Sequence, residues 1–182
     1  MSEYKRETRE TRIELLIQPG SVDPAKISTG QGFLDHMLVT FARYGGFQLE
    51  VTAAGDLRHH LIEDVAITLG LALRAEIPEA CKRYGHSVLP MDDALVETAL
   101  DIGGRAYYAG KLPSDLYEHF FRSLAHNAEI TLHIRALRGR DRHHVIEAAF
   151  KATAAALREA MSPTDAIFST KGNVKLHRNE ES

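Results

Sequence analysis

The sequence predicts an internally duplicated α+β fold, two halves that are each a small sheet packed with two helices, related by a pseudo-twofold axis. Three observations predict it. A long segment beginning at Leu34 recurs, with a one-residue adjustment, from Tyr117. The hydrophobic pattern switches from helical to alternating spacing at matching places in both copies. Strand-like stretches also precede each copy, so each half carries strands enough for a sheet of its own.

Taken in order, residues 11–17 alternate as a strand. Residues 34–44 place Leu34, Met37, Leu38, Phe41 and Ala42 on one helical face, residues 47–51 alternate again, and 59–74 read as a longer helix. The second half has strand-like stretches at 94–102 and 106–109, a helix over 116–126, a strand over 130–134 and a long helix over 143–160. Pro78, Gly85 and Pro90 mark the connection, giving a first repeat of residues 1–88 and a second of 89–182. Pro113 breaks a loop before the second half's first helix, and the polar KLHRNEES at the end reads as a tail.

Composition narrows the function. With 182 residues, 44% of them hydrophobic, the chain can bury a full core. The opening MSEYKRETRE lacks the apolar stretch of a secretory signal, and no run approaches the roughly 18 apolar residues of a membrane span. A net charge of -3 argues against nucleic acid or anionic lipid as a partner. The lone Cys81 excludes an intrachain disulfide and every thiolate-rich metal site, and points to a cytoplasmic setting. Ten histidines are the compositional oddity, so a transition-metal site must use imidazole and carboxylate.

The repeat writes one cassette twice. His59-His60 with Glu63 matches His143-His144 with Glu147, and His36 matches His119. On a helix, glutamate four residues after the first histidine shares its face, whereas adjacent histidines diverge by about 100°. His59 and His60 therefore serve different ions, as do His143 and His144. Six imidazoles and two carboxylates suffice for two sites of about three imidazoles and one carboxylate, each drawing on both copies. Spacing does not fix which histidine serves which ion, nor whether neighbouring subunits contribute. A single HHxxE is usually a solvated surface patch, but core packing does not explain its recurrence. His86, His126, His133 and His177 have no repeat partners and read as ordinary surface or core residues. Asp35 reads first as a helix N-cap and second as an orienting partner of His36. Such sites suit zinc, nickel, iron or manganese.

Across nearly its whole length the chain resembles the imidazoleglycerol-phosphate dehydratase family of histidine biosynthesis. The resemblance runs through FLDHML (33–38), HHLIED (59–64), Arg83-Tyr84-Gly85, PMDDAL (90–95), LDIGGR (100–105), EHFF (118–121), TLHIR (131–135), HHVIEAAFKA (143–152) and STKG (169–172). It implies halves like the second domain of ribosomal protein S5, two manganese ions per active site with other divalent metals able to substitute, and a homo-24-mer built from trimers. The implied metal ligands are His36, His59, His60, Glu63, His119, His143, His144 and Glu147. The implied substrate contacts are Glu10, His36, His59, Arg83, Arg105, His143, Ser169, Thr170 and Lys171, with catalysis on Glu10, Glu63 and Glu147. Some positions depart from the family's usual pattern: Tyr44 stands where histidine is common, GQGF replaces GIPF, GDLRHH lacks an aspartate pair before its histidines, and GRDRHH replaces GxNxHH.

The chemistry implied is the loss of water from D-erythro-imidazoleglycerol phosphate to give imidazole acetol phosphate. The proton to be lost lies beside no carbonyl, so an enolate route is closed. A ring held between two metals as imidazolate can instead expel the neighbouring hydroxyl. Glu10 is the expected proton shuttle, although on residue type alone it reads as a solvated glutamate on an edge strand. Arg83, Arg105 and Lys171, with the Ser169 and Thr170 hydroxyls, would meet the phosphate. Two rivals from other classes are a non-catalytic metal-binding shell, which has no use for those cations together with Glu10, and a dinuclear metallohydrolase, which usually bridges its ions with carboxylates.

Overall fold

The computed structural model describes residues 1–21 and 24–166. The first sheet contains β1 (Ser2–Glu7), β2 (Thr11–Pro19), β3 (Lys26–Ser28) and β4 (Phe47–Gly55) in the order β1-β2-β4-β3. The second contains β5 (Tyr84–Met91), β6 (Ala94–Asp101), β7 (Tyr107–Lys111) and β8 (Thr131–Arg138) in the order β5-β6-β8-β7. Each sheet has two antiparallel pairings and one parallel pairing, in matching places. The helices are α1 (Gly32–Gly45) and α2 (Arg58–Glu76) in the first half, α3 (Asp115–Asn127) and α4 (Arg142–Ala160) in the second. The duplicated α+β fold is therefore present element for element.

Alternation along β2 and β6 turns one face of each sheet inward, and Ile13, Leu15, Ile17 and Val96 are buried there. Each half's helices cover its own sheet. Contact between the halves is mainly helix on helix, α1 against α4 and α2 against α3, as where Lys151 on α4 lies over the Tyr44 ring on α1 and Gly70 on α2 lies against Leu124 and Asn127 on α3. Helices of a half do not pair with their own repeat mates; the cross-pairing is what later brings ligands from both copies together.

Three strands lie outside the sequence expectation. β1 alternates, but none of its residues is fully buried and four of the six are charged, as suits an edge strand. β3 has only three residues. β5 runs through Gly85 and Pro90, which read as turn signals. Pro90 is tolerated because β5 is an edge strand and proline has no N–H to donate. At Gly85 the strand lies so close to α4 that a Cβ would collide with the Ala156 carbonyl. The passage from one sheet to the other thus falls in residues 77–83, and the boundary drawn at residue 88 would cut β5. Asp35 is not an N-cap: Gln31 holds that position in α1, and Asp35 accepts hydrogen bonds from the backbone N–H and the hydroxyl of Thr29 instead of orienting His36. Among the described residues no helix is long and apolar enough to cross a membrane.

Candidate metal centre

Two triads of potential ligands form, and each takes residues from both halves. His36 on α1 meets His143 and Glu147 on α4; His119 on α3 meets His59 and Glu63 on α2. The pseudo-twofold that carries α1 to α3 and α4 to α2 carries one triad onto the other. In each triad the donor atoms all lie within 4.8 Å of one another. The Nε2 atoms of His36 and His143 are both 3.2 Å from Glu147 Oε2. In the other triad, His59 Nε2 is 3.6 Å from Glu63 Oε2 and His119 Nε2 is 3.2 Å from Glu63 Oε1.

Local sequence explains the arrangement. A spacing of four puts His59 with Glu63, and His143 with Glu147, one turn apart on one helix face. Asp141 caps α4 by accepting the His143 N–H at 2.7 Å, which fixes the turn that carries both histidines. The last acid of the HHLIED box is structural: Asp64 is buried and takes the Thr11 hydroxyl and the Arg6 guanidinium, tying α2 to β2 and β1.

The two carboxylates differ in setting. Glu147 is buried, and Lys151, one turn further along α4, reaches its Oε1 at 2.8 Å. Burial works against ionisation there, but Lys151 and then His36 outweigh it, holding the carboxyl below the usual range. Glu63 has an isoleucine, Ile67, at the position equivalent to Lys151 and is about a third exposed. Lys151 was not among the residues singled out from sequence, although its i+4 place after Glu147 in HHVIEAAFKA is a readable signal. His59 and His119 of the second triad line an open cavity of 680 Å³ together with Arg58, Asp115, Leu116, Glu118 and Arg122.

Among the described residues, the expected set of three imidazoles and one carboxylate does not form within one chain. His60 and His144 join neither triad, because the helix turns them away from His59 and His143. His60 Nδ1 lies 2.9 Å from Asp56 Oδ1 and 3.6 Å from Glu10 Oε2; His144 Nδ1 lies 2.8 Å from Asp93 Oδ1. These acids push both histidines above their usual pKa, Asp56 foremost for His60 and Asp93 for His144. Asp93 itself falls to about 2, chiefly through the Arg140 N–H.

Other expected site residues are spread out. Glu10 is exposed and approaches His60. Arg83 stands beyond the far end of α2, in a cavity shared with Arg74, and α2 rises roughly 20 Å between His59 and Arg74. Its guanidinium grips Asp101 with two hydrogen bonds, at 2.8 and 2.9 Å. Arg105 is exposed in the β6–β7 connection. Ser169, Thr170 and Lys171 lie outside the described residues. His86, His126 and His133 are exposed, as expected of residues without a repeat partner, and His177 is also outside the described residues.

The donor chemistry fits a divalent transition metal. Imidazole and carboxylate converge without a thiolate, and His119 Nε2 is buried without a hydrogen-bond partner although Glu63 is near enough to be one. A ring nitrogen turned into the triad, but out of line for a hydrogen bond, suits a ligand whose ion sits between the donors.

Residues 29–157 match the imidazoleglycerol-phosphate dehydratase family. Relatives of that name from Acetivibrio thermocellus and Methanoculleus marisnigri are 46% and 45% identical, with the match covering 93% and 95% of this chain and 96% and 98% of theirs. The crystal structures of the Pyrococcus furiosus and Staphylococcus aureus enzymes superpose with TM-scores of 0.85 and 0.80 at 42% and 36% identity, covering 94% and 90% of this chain and 100% of each of those. The chain belongs to the imidazoleglycerol-phosphate dehydratase family, the hydro-lyases that carry out a dehydration in histidine biosynthesis.

Proposed function

We propose that this chain converts D-erythro-imidazoleglycerol phosphate to imidazole acetol phosphate using two divalent metal ions, manganese foremost, in each active site. The observation that carries the reading is the pair of triads, each built across the two repeats. His36, His143 and Glu147 would hold one ion, and His59, Glu63 and His119 the other. When bound, the ions supply Lewis acidity toward the imidazole ring of the substrate.

The remaining work falls to side chains that one chain keeps apart. Glu10 takes the proton from the carbon next to the one that loses hydroxide, and it stands beside His60, which joins neither triad. Arg83 and Arg105 bind the phosphate from beyond the opposite helix ends, and Lys171 joins them with the Ser169 and Thr170 hydroxyls. These distances make sense in an assembly, in which His60 and His144 complete the ligand shells of ions held by neighbouring copies. A homo-24-mer of trimers is the assembly proposed, in a cytoplasmic setting that accords with the single Cys81.

Incubating the manganese-loaded protein with imidazoleglycerol phosphate should release the enolisable ketone. Glu10→Gln should abolish product and leave metal content unchanged. Metal binding without product in the parent would favour a metal-binding shell, and release of inorganic phosphate would favour a metallohydrolase. Loss of metal in Glu10→Gln would show that Glu10 has a different role.

A further inference from the structure

Resting on the two-ion reading above, we infer that Asp56 and Asp93 are positioning residues that hold His60 and His144 in the tautomer that binds an ion through Nε2. The two histidines are repeat mates, and each has its Nδ1 against a carboxylate, Asp56 at 2.9 Å and Asp93 at 2.8 Å. The carboxylates are not repeat mates. Asp56 leads into α2 four residues before His60, whereas Asp93 sits in the β5–β6 turn, 51 residues before His144. In the repeat alignment Arg140, a base, stands opposite Asp56. Glu10 immediately precedes β2 as Asp93 immediately precedes β6, and it lies 3.6 Å from His60 Nδ1, so the equivalent turn brings an acid toward each ring, while in the first half Asp56 supplies the closer contact.

Each acid is itself fixed by backbone. Asp56 accepts the Leu57 N–H at 2.6 Å, and Asp93 accepts the N–H groups of Arg140 and Asp141 at 2.7 and 3.3 Å. An ionised carboxylate only accepts, so Nδ1 carries the hydrogen, and the neutral ring presents its lone pair at Nε2. The four triad imidazoles also meet their glutamates through Nε2. Other acids also face the two rings: Glu10, 3.6 Å from His60 Nδ1, with Glu63 on the same helix, and Asp92 at the exposed turn tip, 3.3 Å from His144 Nε2, with Asp141 at the start of α4.

The test is chelator competition for Mn2+ alone, in the full assembled chain, with Asp56→Asn, Asp56→Ala and Asp93→Asn. Each variant should hold Mn2+ about 10- to 100-fold less tightly, alanine worse than asparagine. The Co2+-loaded variants should have altered visible spectra, and the metal-free Asp56 variants should keep the parent's thermal midpoint. A purely structural role for Asp93, closing its turn onto α4, would lower stability and leave the Asp56 variants unaffected. Parental Mn2+ affinity in the Asp56 variants, or weakening that only accompanies loss of fold, overturns the inference. His60→Ala separates it from the reading beneath it. If that variant loses metal and the Asp56 variants do not, only the positioning role fails; if the parent binds no Mn2+, the two-ion reading fails and takes the positioning role with it.

Discussion

Asp101 and Arg83 form a fork-to-fork pair where the second sheet meets the end of α2. Burial raises the cost of ionising Asp101, but Arg83 and the Gly103 N–H outweigh it, so its pKa is lowered from 3.8. A carboxylate with a lowered folded pKa adds stability that is present above its unfolded pKa and is lost as pH falls through the folded value. Asp101→Asn should therefore destabilise the chain at neutral pH and flatten the decline of its thermal midpoint below about pH 4. An unchanged acid limb would mean that the pair contributes nothing. At this scale the sequence picked out the residues that converge in the two triads and missed the side chains that hold them. HHxxE announces itself through period and repetition, whereas Asp93 reaches His144 across 51 residues of chain, a distance that no local pattern encodes.

At the scale of elements, the pairing of α2 with α3 depends on close approach. Gly70 on α2 has no side chain; a Cβ there would stand 2.8 Å from the Leu124 carbonyl and 2.9 Å from Asn127 Cβ on α3. Gly70→Ala should force the helices apart and cost about 1–3 kcal/mol, lowering the midpoint by roughly 2–4 °C per kcal/mol for a chain of this size. Because His59 and Glu63 lie on α2 and His119 on α3, the same change should weaken metal retention in that triad and spare the His36–His143–Glu147 triad. Metal analysis beside calorimetry checks both. The helices were legible because their apolar positions repeat at helical spacing. β1 and β5 were not: an edge strand buries little, so β1 carries charge on both faces, and β5 tolerates the glycine and proline that usually signal a turn.

For the whole molecule, the cross-pairing of halves predicts which ligand losses are redundant. His36→Ala and His143→Ala should each remove the same metal equivalent, and the double variant should lose no more than either alone. His36→Ala combined with His59→Ala should remove both equivalents, since these residues belong to different triads. Metal content after gel filtration gives the answer, and additivity within the first pair would contradict the triads. The sequence by itself determined the duplication, the α+β class, the helical faces and the eight candidate ligands, because period, repetition and residue type are local properties of the chain. Sites drawing on both copies were expected from the sequence; only the tertiary structure decided that His36 joins His143 and Glu147 while His119 joins His59 and Glu63, and that His60, His144, Glu10 and Arg83 stand apart from the triads. Those outcomes depend on helix packing across the pseudo-twofold, where α1 meets α4 and α2 meets α3. Packing of that kind is set by complementary apolar faces distant in the chain, and spacing along the sequence carries no record of which face meets which.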